Sequence, residues 1–317
     1  MSVRVRPAGD DDLAAIATVV NSVSPIDPTS VDELRWTERT YPGGARFIAE
    51  TDGRPVVGIA IVGRIHMYPP EFDGLWATIK VLADARRQGT GGRLLAAVSE
   101  HARVWGKSAL HIPVSEDDPE SIEFLVHRGF AEYSRAKIVR LALAGLPEPP
   151  VDLRPDIVLA TLAERPDLVG GVHAVAVEAF ADIPHGPEPI AAGTLAEFRA
   201  RDVDRANIPS DAFFVAVERA TGAVVGYASL FLPGTSHEVV AWHDMTAVAR
   251  SWRGRGVGGA LKRATIGWAI RNGIVALETG NDTDNEPMRA VNARLGYLPL
   301  PDYLTMRGPS HGGIMDR

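Results

Sequence analysis

The chain has no cysteine among its 317 residues. That excludes a disulfide framework, a thiol nucleophile and cysteine-ligated zinc, and it fits a reducing, cytoplasmic setting. Lysine is nearly missing as well: Lys80, Lys107, Lys137 and Lys262 are the four present, so arginine carries almost all the positive charge. The overall balance is acidic, with a net charge of −7 and a pI near 5.7, which argues against a nucleic-acid partner. No run of 18 apolar residues occurs, so no membrane span is expected. The opening "MSVRVRPAGDDDLAAI" is interrupted by charge where a signal peptide would have an apolar stretch. The nine histidines show neither H-x-x-x-H nor H-E-x-x-H spacing, so no metal is expected. The one Gly-Lys-Ser, Gly106-Lys107-Ser108, has His101 where G-x-x-x-x-G-K-[ST] needs its first glycine, which excludes a Walker phosphate loop.

Apolar residues make up 45% of the chain, enough for packed cores, and its length predicts two domains. The chain also reads as two copies of one pattern. "ARRQGTGGRLLAA" (85–97) is answered by "RSWRGRGVGGALK" (250–262). Arg86 and Arg253, Gly89 and Gly256, and Gly91 and Gly258 all stand 167 residues apart, as do Gly106 and Gly273, and Gly129 and Gly296. Upstream, "VVGIA" (56–60) matches "VVGYA" (224–228) with the offset slipped by one. A period of this size means a tandem of domains and not a solenoid. The expected division is a first domain over 1–145, a proline-rich linker over 146–156, a second domain over 157–308 and a tail over 309–317.

Each copy predicts a short first strand, helices, and a hairpin turning at Asp52-Gly53 or Thr221-Gly222. A strand then runs into the glycine loop (75–82; 239–248). A helix follows it (91–105; 258–271), then another strand, a short helix and a last strand. Leu261, Ile266, Trp268 and Ala269 can share one apolar stripe of the second long helix. The class is α/β, a mixed sheet with helices on its faces.

A strand, a loop with glycines two apart and a helix together make an anion site. The first amides of the helix lack acceptors, the macrodipole is positive there, and glycine lets a phosphate approach. Arg253 and Arg255 add charge suited to a pyrophosphate. Gly254, Gly256 and Gly259 match the dinucleotide string G-x-G-x-x-G literally, which would imply an NAD(P)-dependent oxidoreductase. However, the first copy has Leu94 in place of the third glycine, and Asp244 and Thr246 interrupt the preceding strand.

Both loops fit a third pattern, R/Q-x-x-G-x-G/A with an apolar strand end five residues earlier. It reads Val248 then Arg253-Gly-Arg-Gly-Val-Gly258, and Val81 then Arg86-Arg-Gln-Gly-Thr-Gly91. Downstream, Asn285, Met288, Asn292 and Gly296-Tyr297 keep the spacing of N-x-x-A-x-x-x-Y followed by a Gly-aromatic pair. The chain therefore resembles the GCN5-related N-acetyltransferase (GNAT) superfamily over nearly its whole length. The resemblance implies two tandem α/β (α+β) domains, each a mixed, mainly antiparallel sheet flanked by helices. It also implies acetyl coenzyme A as co-substrate. The pyrophosphate would lie on the amides of Gly254, Arg255, Gly256, Val257, Gly258 and Gly259, and the pantetheine beside the strand ending at Val248, where two strands splay. A small-molecule amine would attack the thioester directly, in a monomer or homodimer. A protein that binds acyl coenzyme A without catalysis is the alternative.

A protonated amine needs a base. "EVVAWHDMTAV" (238–248) offers Glu238, His243 and Asp244. Strand alternation sets His243 and Asp244 on opposite faces and gives Asp244 the parity of Thr246 and Val248. Asp244 is preferred and His243 kept, with Glu278 weaker. In the resemblance, the acid for the departing thiolate is a tyrosine where this chain has Asn292, so Tyr297 and Tyr303 are candidate substitutes. Asn285 is expected both to cap the following helix and to face the cofactor. Applying the 167 offset, Asp244 maps to Ala77, His243 to Trp76, Asn285 to Asp118 and Asn292 to Leu125. The first domain is therefore expected to be catalytically silent. The acceptor side is expected from segment 178–211, which carries acidic residues and His185.

Overall fold

The computed structural model describes residues 2–24, 28–184, 188, 190–233 and 239–310. In chain order the first half gives β1 (Val3–Pro7), α1 (Leu13–Val23), α2 (Val31–Thr40), β2 (Ala45–Thr51), β3 (Arg54–Arg64) and β4 (Leu75–Val81). It continues with α3 (Thr90–Val104), β5 (Ala109–Ser115), α4 (Pro119–Val126) and β6 (Ala131–Ala142). The second half gives β7 (Ile157–Thr161), α5 (Val169–Phe180), and α6 (Leu195–Phe198) prolonged by a π-helical turn (Arg199–Val203). Then come β8 (Phe214–Glu218), β9 (Val224–Phe231), β10 (Val240–Val248), α7 (Val257–Arg271), β11 (Ala276–Asp282), α8 (Glu286–Arg294), β12 (Leu298–Pro299) and β13 (Tyr303–Pro309). Both predicted hairpins form, as β2–β3 and β8–β9.

Two compact units result. Unit 1 holds the residues up to His66, Pro70–Arg135 and those from Pro301; unit 2 holds Met67–Pro69 and Ala136–Leu300. The unit 1 sheet runs β1-β2-β3-β4-β5-β13. The unit 2 sheet runs β7-β8-β9-β10-β11-β6, with β12 also pairing β6. Every neighbouring pair is antiparallel except β4–β5 and β10–β11.

The compact units therefore do not coincide with the sequential halves 1–145 and 157–308. Most of β6 sits in unit 2 against β11, and β13 sits in unit 1 against β5. The repeat conceals this exchange for a physical reason. Equivalent strands of a duplicated chain offer the same alternation and the same edge, so either fills either place.

Long helices cover the sheets. In unit 1, α3 packs Leu94, Leu95 and Val98 against Val57, Ala60 and Leu110, while α1 sets Leu13 and Ile16 against Ile48 and Ile59. In unit 2, α7 packs Val257 and Leu261 against Ala216 and Ala228, and Ile266, Trp268 and Ala269 against Leu230 and Leu277. The predicted stripe Leu261, Ile266, Trp268 and Ala269 is buried throughout. Among the described residues, no helix is long and apolar enough to cross a membrane.

Candidate functional site

The two glycine loops share one geometry. In unit 2 the Arg253 Nε donates back to the Val248 carbonyl at 3.0 Å; in unit 1 Arg86 does the same to Val81 at 3.2 Å. Gly256 (φ +83°) and Gly89 (φ +81°) hold the left-handed turn that starts α7 and α3. Among the described residues, no backbone carbonyl accepts from the amides of 254–259, nor from those of 87–92. Each loop thus aims a row of N–H groups outward. Gly258 lies 3.5 Å, by an added Cβ, from Val248, and Gly91 lies 3.5 Å from Phe124, so both pack normally against their surroundings.

The arginines divide their work. Arg253 is bound to Asp182, at the end of α5, at 2.7 Å, and Arg250 pairs with the same carboxylate at 2.6 Å. These partners pull the Asp182 pKa down to about 2, Arg250 first and Arg253 second. Arg253 is therefore a brace that fixes the loop. Arg255, exposed and 5.0 Å over the Trp252 ring, is the outward cation. Unit 1 differs at one backbone position: Arg87 is left-handed (φ 60°) where unit 2 has Gly254 (φ +71°). Arg87→Gly should relieve that strain and raise stability by up to about 1 kcal/mol. Urea titration checks this, and a loss of stability would contradict it.

Strand β10 is the centre of unit 2. It pairs with β11 only over Val240–Trp242, against Ala276–Glu278, and then parts from it. The splay expected beside Val248 is present, and it frees backbone groups along the rest of β10. The other edge carries a β-bulge: His243 pairs with Leu230 and Thr246 with Ala228, so Asp244 and Met245 together oppose Ser229. A bulge adds one residue and re-aims the side chains on either side of it.

The bulge corrects two expectations. Simple alternation grouped Asp244 with Thr246 and Val248, but Thr246 lies on the α7 side with its hydroxyl 3.4 Å from His243 Nε2. Val248 contacts the start of α7, whereas Asp244 points the other way, its carboxylate 3.5 Å from the Ser229 hydroxyl. The offset mapping also shifts. In the first copy β4 has no such irregularity: Trp76 pairs Gly63 as Trp242 pairs Phe231, and Ala77 pairs Val62 as His243 pairs Leu230. His243 therefore corresponds to Ala77 and Trp242 to Trp76, and Asp244 belongs to a bulge that unit 1 lacks.

Asp244 is exposed. Solvent reaches it, yet the surrounding protein displaces most of its water. That desolvation, helped by the Asp202 carboxylate, pushes its pKa up to about 6 against the opposing pull of Arg205 and Arg201. Asp202, Arg201 and Arg205 come from the 178–211 segment expected to supply the acceptor side. His185 and Glu238 lie outside the described residues. Glu278 is engaged by Arg140 at 3.3 Å.

The opposite face holds a buried polar cluster. His243 is 1% exposed, with Nε2 3.2 Å from Thr265 Oγ1 and Nδ1 3.2 Å from Tyr297 Oη. Thr265 donates its proton to the Lys262 carbonyl, so its oxygen accepts from His243 Nε2–H. Nδ1 then accepts from the Tyr297 hydroxyl. Burial, then Lys262, keeps His243 neutral well below its ordinary pKa, while burial raises that of Tyr297. Lys262 itself is buried on α7 with its ammonium 5.4 Å over the Tyr297 ring. Asn292 is buried; its Nδ2 donates to Asn281 Oδ1 at 2.7 Å and its Oδ1 has no partner among the described residues. Asn285 caps α8, accepting from the Met288 amide at 3.4 Å, and Asp118 caps α4 in the same way. Tyr303 lies in β13 and hence in unit 1. Leu125 is core.

The acyl-carrier expectation can be tested against these groups. A row of unbonded amides suits a pyrophosphate, the splayed edge of β10 offers backbone to amide groups, and the orphan Asn292 oxygen suits an N–H donor. Together these fit coenzyme A. Among the described residues, no group of three or more His, Asp or Glu is placed to hold a metal.

Comparison with known proteins agrees. The profile described as Acetyltransferase (GNAT) family matches twice, over residues 16–130 and 177–297. The chain is 27% identical over 308 residues to a mycothiol acetyltransferase of Nocardiopsis dassonvillei, covering 90% of this chain and 88% of that one. Among solved structures it resembles a tandem GNAT protein from the clavulanic acid biosynthesis pathway (TM-score 0.78, 20% identity, 98% of this chain and 99% of that one). A GCN5-related N-acetyltransferase from Sphaerobacter thermophilus is also similar (TM-score 0.71, 18% identity, 97% and 96%).

Proposed function

Because the chain belongs to the Acetyltransferase (GNAT) family, as a tandem of two such domains, we propose that unit 2 transfers an acyl group from acetyl coenzyme A to a primary amine. The observation that carries this is Asp244. The bulge takes it out of the strand pairing and leaves it solvent-accessible, beside splayed strands and on the face away from α7.

Bound acyl coenzyme A supplies an activated acyl group: a C–N bond forms at its carbonyl carbon, the C–S bond breaks and the sulfur leaves as thiolate. Asp244, ionised above its pKa of about 6, takes the ammonium proton that blocks attack and passes it to solvent. The amides of 254–259, with Arg255, hold the pyrophosphate, and Arg253 keeps the loop in shape through Asp182. Asn292 offers its free oxygen to a pantetheine N–H. Tyr297 has committed its hydroxyl to His243, so it ties the segment after α8 to β10 and donates no proton to sulfur. A thiol pKa near 8.5 makes the thiolate a fair leaving group without an acid.

Unit 1 keeps the loop but has neither bulge nor carboxylate in β4, so its role is catalytically silent, the loop either binding acyl coenzyme A or serving structure alone. Calorimetric titration with acetyl coenzyme A tests both statements. We expect binding that Gly258→Glu removes from unit 2, because a Cβ there makes only an ordinary contact with Val248 while the carboxylate sets a negative charge at the anion site. One site per chain in the wild type assigns all binding to unit 2; two sites assign the second to unit 1. No binding at all would overturn the acyltransferase reading.

A further inference from the structure

Strand β9 runs beside β10 and turns alternate side chains to opposite faces. Gly226 faces α7, where an added Cβ would meet Leu261 and Val257. Tyr227 and Ser229 therefore share the other face, the one to which Asp244 points. Tyr227 stacks on Phe213, ring centroids 5.6 Å apart, and meets Phe198 edge-on at 6.3 Å. Both Tyr227 and Ser229 are 1% exposed.

The first copy is an internal control. Counting from Gly58 and Gly226, Tyr227 corresponds to Ile59 and Ser229 to Ile61. Ile59 is core with Leu13 and Ile16 of α1, and Ile61 packs against them. The fold thus closes this face with two isoleucines and needs no hydroxyl there. Unit 2 has two hydroxyls instead, and Ser229 stands opposite the bulge that carries Asp244. A buried hydroxyl without a partner costs stability, so this substitution calls for a reason.

The Ser229 hydroxyl donates to Asp244 at a long 3.5 Å. The Tyr227 hydroxyl has no partner among the described residues. Burial first, then Asp202 and Asp244, hold the Tyr227 pKa well above its ordinary value, so the hydroxyl keeps its proton and stays a donor near both carboxylates. Asp202 is already closed by Arg201 at 2.6 Å. Asp244 is the acid with lone pairs left to fill.

Resting on the reading of Asp244 as base, we infer that Tyr227 is a positioning residue for it: its hydroxyl donates, directly or through one water, to the ionised carboxylate and, with Ser229, orients that carboxylate toward the acceptor amine. One long hydrogen bond leaves an exposed aspartate free to turn. Two donors from one face fix it and leave the remaining oxygen lone pairs to the ammonium. The other charged groups acting on Asp244 are Asp202, Arg205 and Arg201. On α5, which packs against β9 and β10, His173 turns to the Gly193 carbonyl and Glu178 to the Arg250 amide. Glu278 of β11 is held by Arg140, and His243 and Lys262 lie on the α7 face.

The Asp244 titration is read by carbon-13 NMR of the aspartate carboxyl groups, with Asp244→Asn assigning the signal. Activity is read by thiol release at saturating acetyl coenzyme A, with the best acceptor from a panel of alkylamines, diamines, amino acids and amino sugars. Tyr227→Phe keeps the ring and its stacking but removes the donor to the charged form. We expect it to raise the Asp244 midpoint by about one pH unit, carrying the acidic limb of kcat/KM with it. On the plateau kcat should fall about 10-fold, with amine KM and acetyl coenzyme A affinity within about two-fold. Ser229→Ala should act in the same direction. The NMR midpoint needs no acceptor and decides by itself if no amine of the panel is acetylated. A Tyr227→Phe protein whose midpoint or kcat is unchanged would overturn this inference, and the base reading stands as long as Asp244→Asn is inactive. A fully active Asp244→Asn overturns the parent reading, and this one with it.

Discussion

Asp244→Asn should lower kcat/KM for acyl transfer by about 10²–10⁴-fold, the range removed with a positioned base. Acetyl coenzyme A affinity should stay within about two-fold, because the anion loop is untouched. The side chain is exposed and makes one long hydrogen bond, so the fold does not depend on it. The pH profile is the sharper test. The base must be ionised, so wild-type kcat/KM should rise with pH through about 6 and level off above. Asp202 is a like charge that holds this value up, so Asp202→Asn should move the acidic limb to lower pH. A fully active Asp244→Asn, or an acidic limb that neither substitution moves, would remove Asp244 from the chemistry.

The bulge that sets up this role was partly legible in the sequence. The hairpin segments stand 168 residues apart (Gly58 and Gly226), the glycine loops 167, and Trp76 and Trp242 only 166. A slip of one inside a single strand is the mark of a one-residue insertion. Strict alternation carried across it sets every side chain upstream against the wrong residue of the first copy. The glycine loop was easier, because its backbone demands are local: left-handed glycines and an arginine that reaches its own strand end. Its electrostatics were not, since the partner of Arg253, Asp182, lies 71 residues away and shows no spacing that marks it. The exchange of β6 and β13 left no trace, because the repeat makes the two strands interchangeable. Asp202 reaches Asp244 only through tertiary packing, from a segment with no counterpart in the first copy. Lys262 did have a readable signal: at the 167 offset the first copy has Leu95, a buried core residue.

That comparison leads to the second large effect. Lys262 is 2% exposed, and burial pulls its pKa down to about 7. The unfolded chain keeps the ordinary value near 10.4. Between those two limits the unfolded state binds the extra proton, so stability rises as pH climbs from 7 toward 10. His243 acts in the same direction lower down. It is held neutral in the fold, so stability falls as pH drops below about 6.5, where only the unfolded imidazole protonates freely. Lys262→Met, which follows the apolar solution of the first copy, should flatten the upper slope. Above about pH 10, where the amine is neutral in both states, there is little electrostatic cost to remove, whereas near pH 7 and below Lys262→Met should stabilise the protein by up to roughly 4 kcal/mol. Urea titrations of both proteins at pH 6, 7, 8 and 9 separate the possibilities. Curves that converge at high pH and diverge at low pH mean that Lys262 is a buried charge tolerated by the fold. A variant less stable at every pH would mean instead that the ammonium over Tyr297 holds the His243 cluster together, and the cation–π contact would outweigh the desolvation.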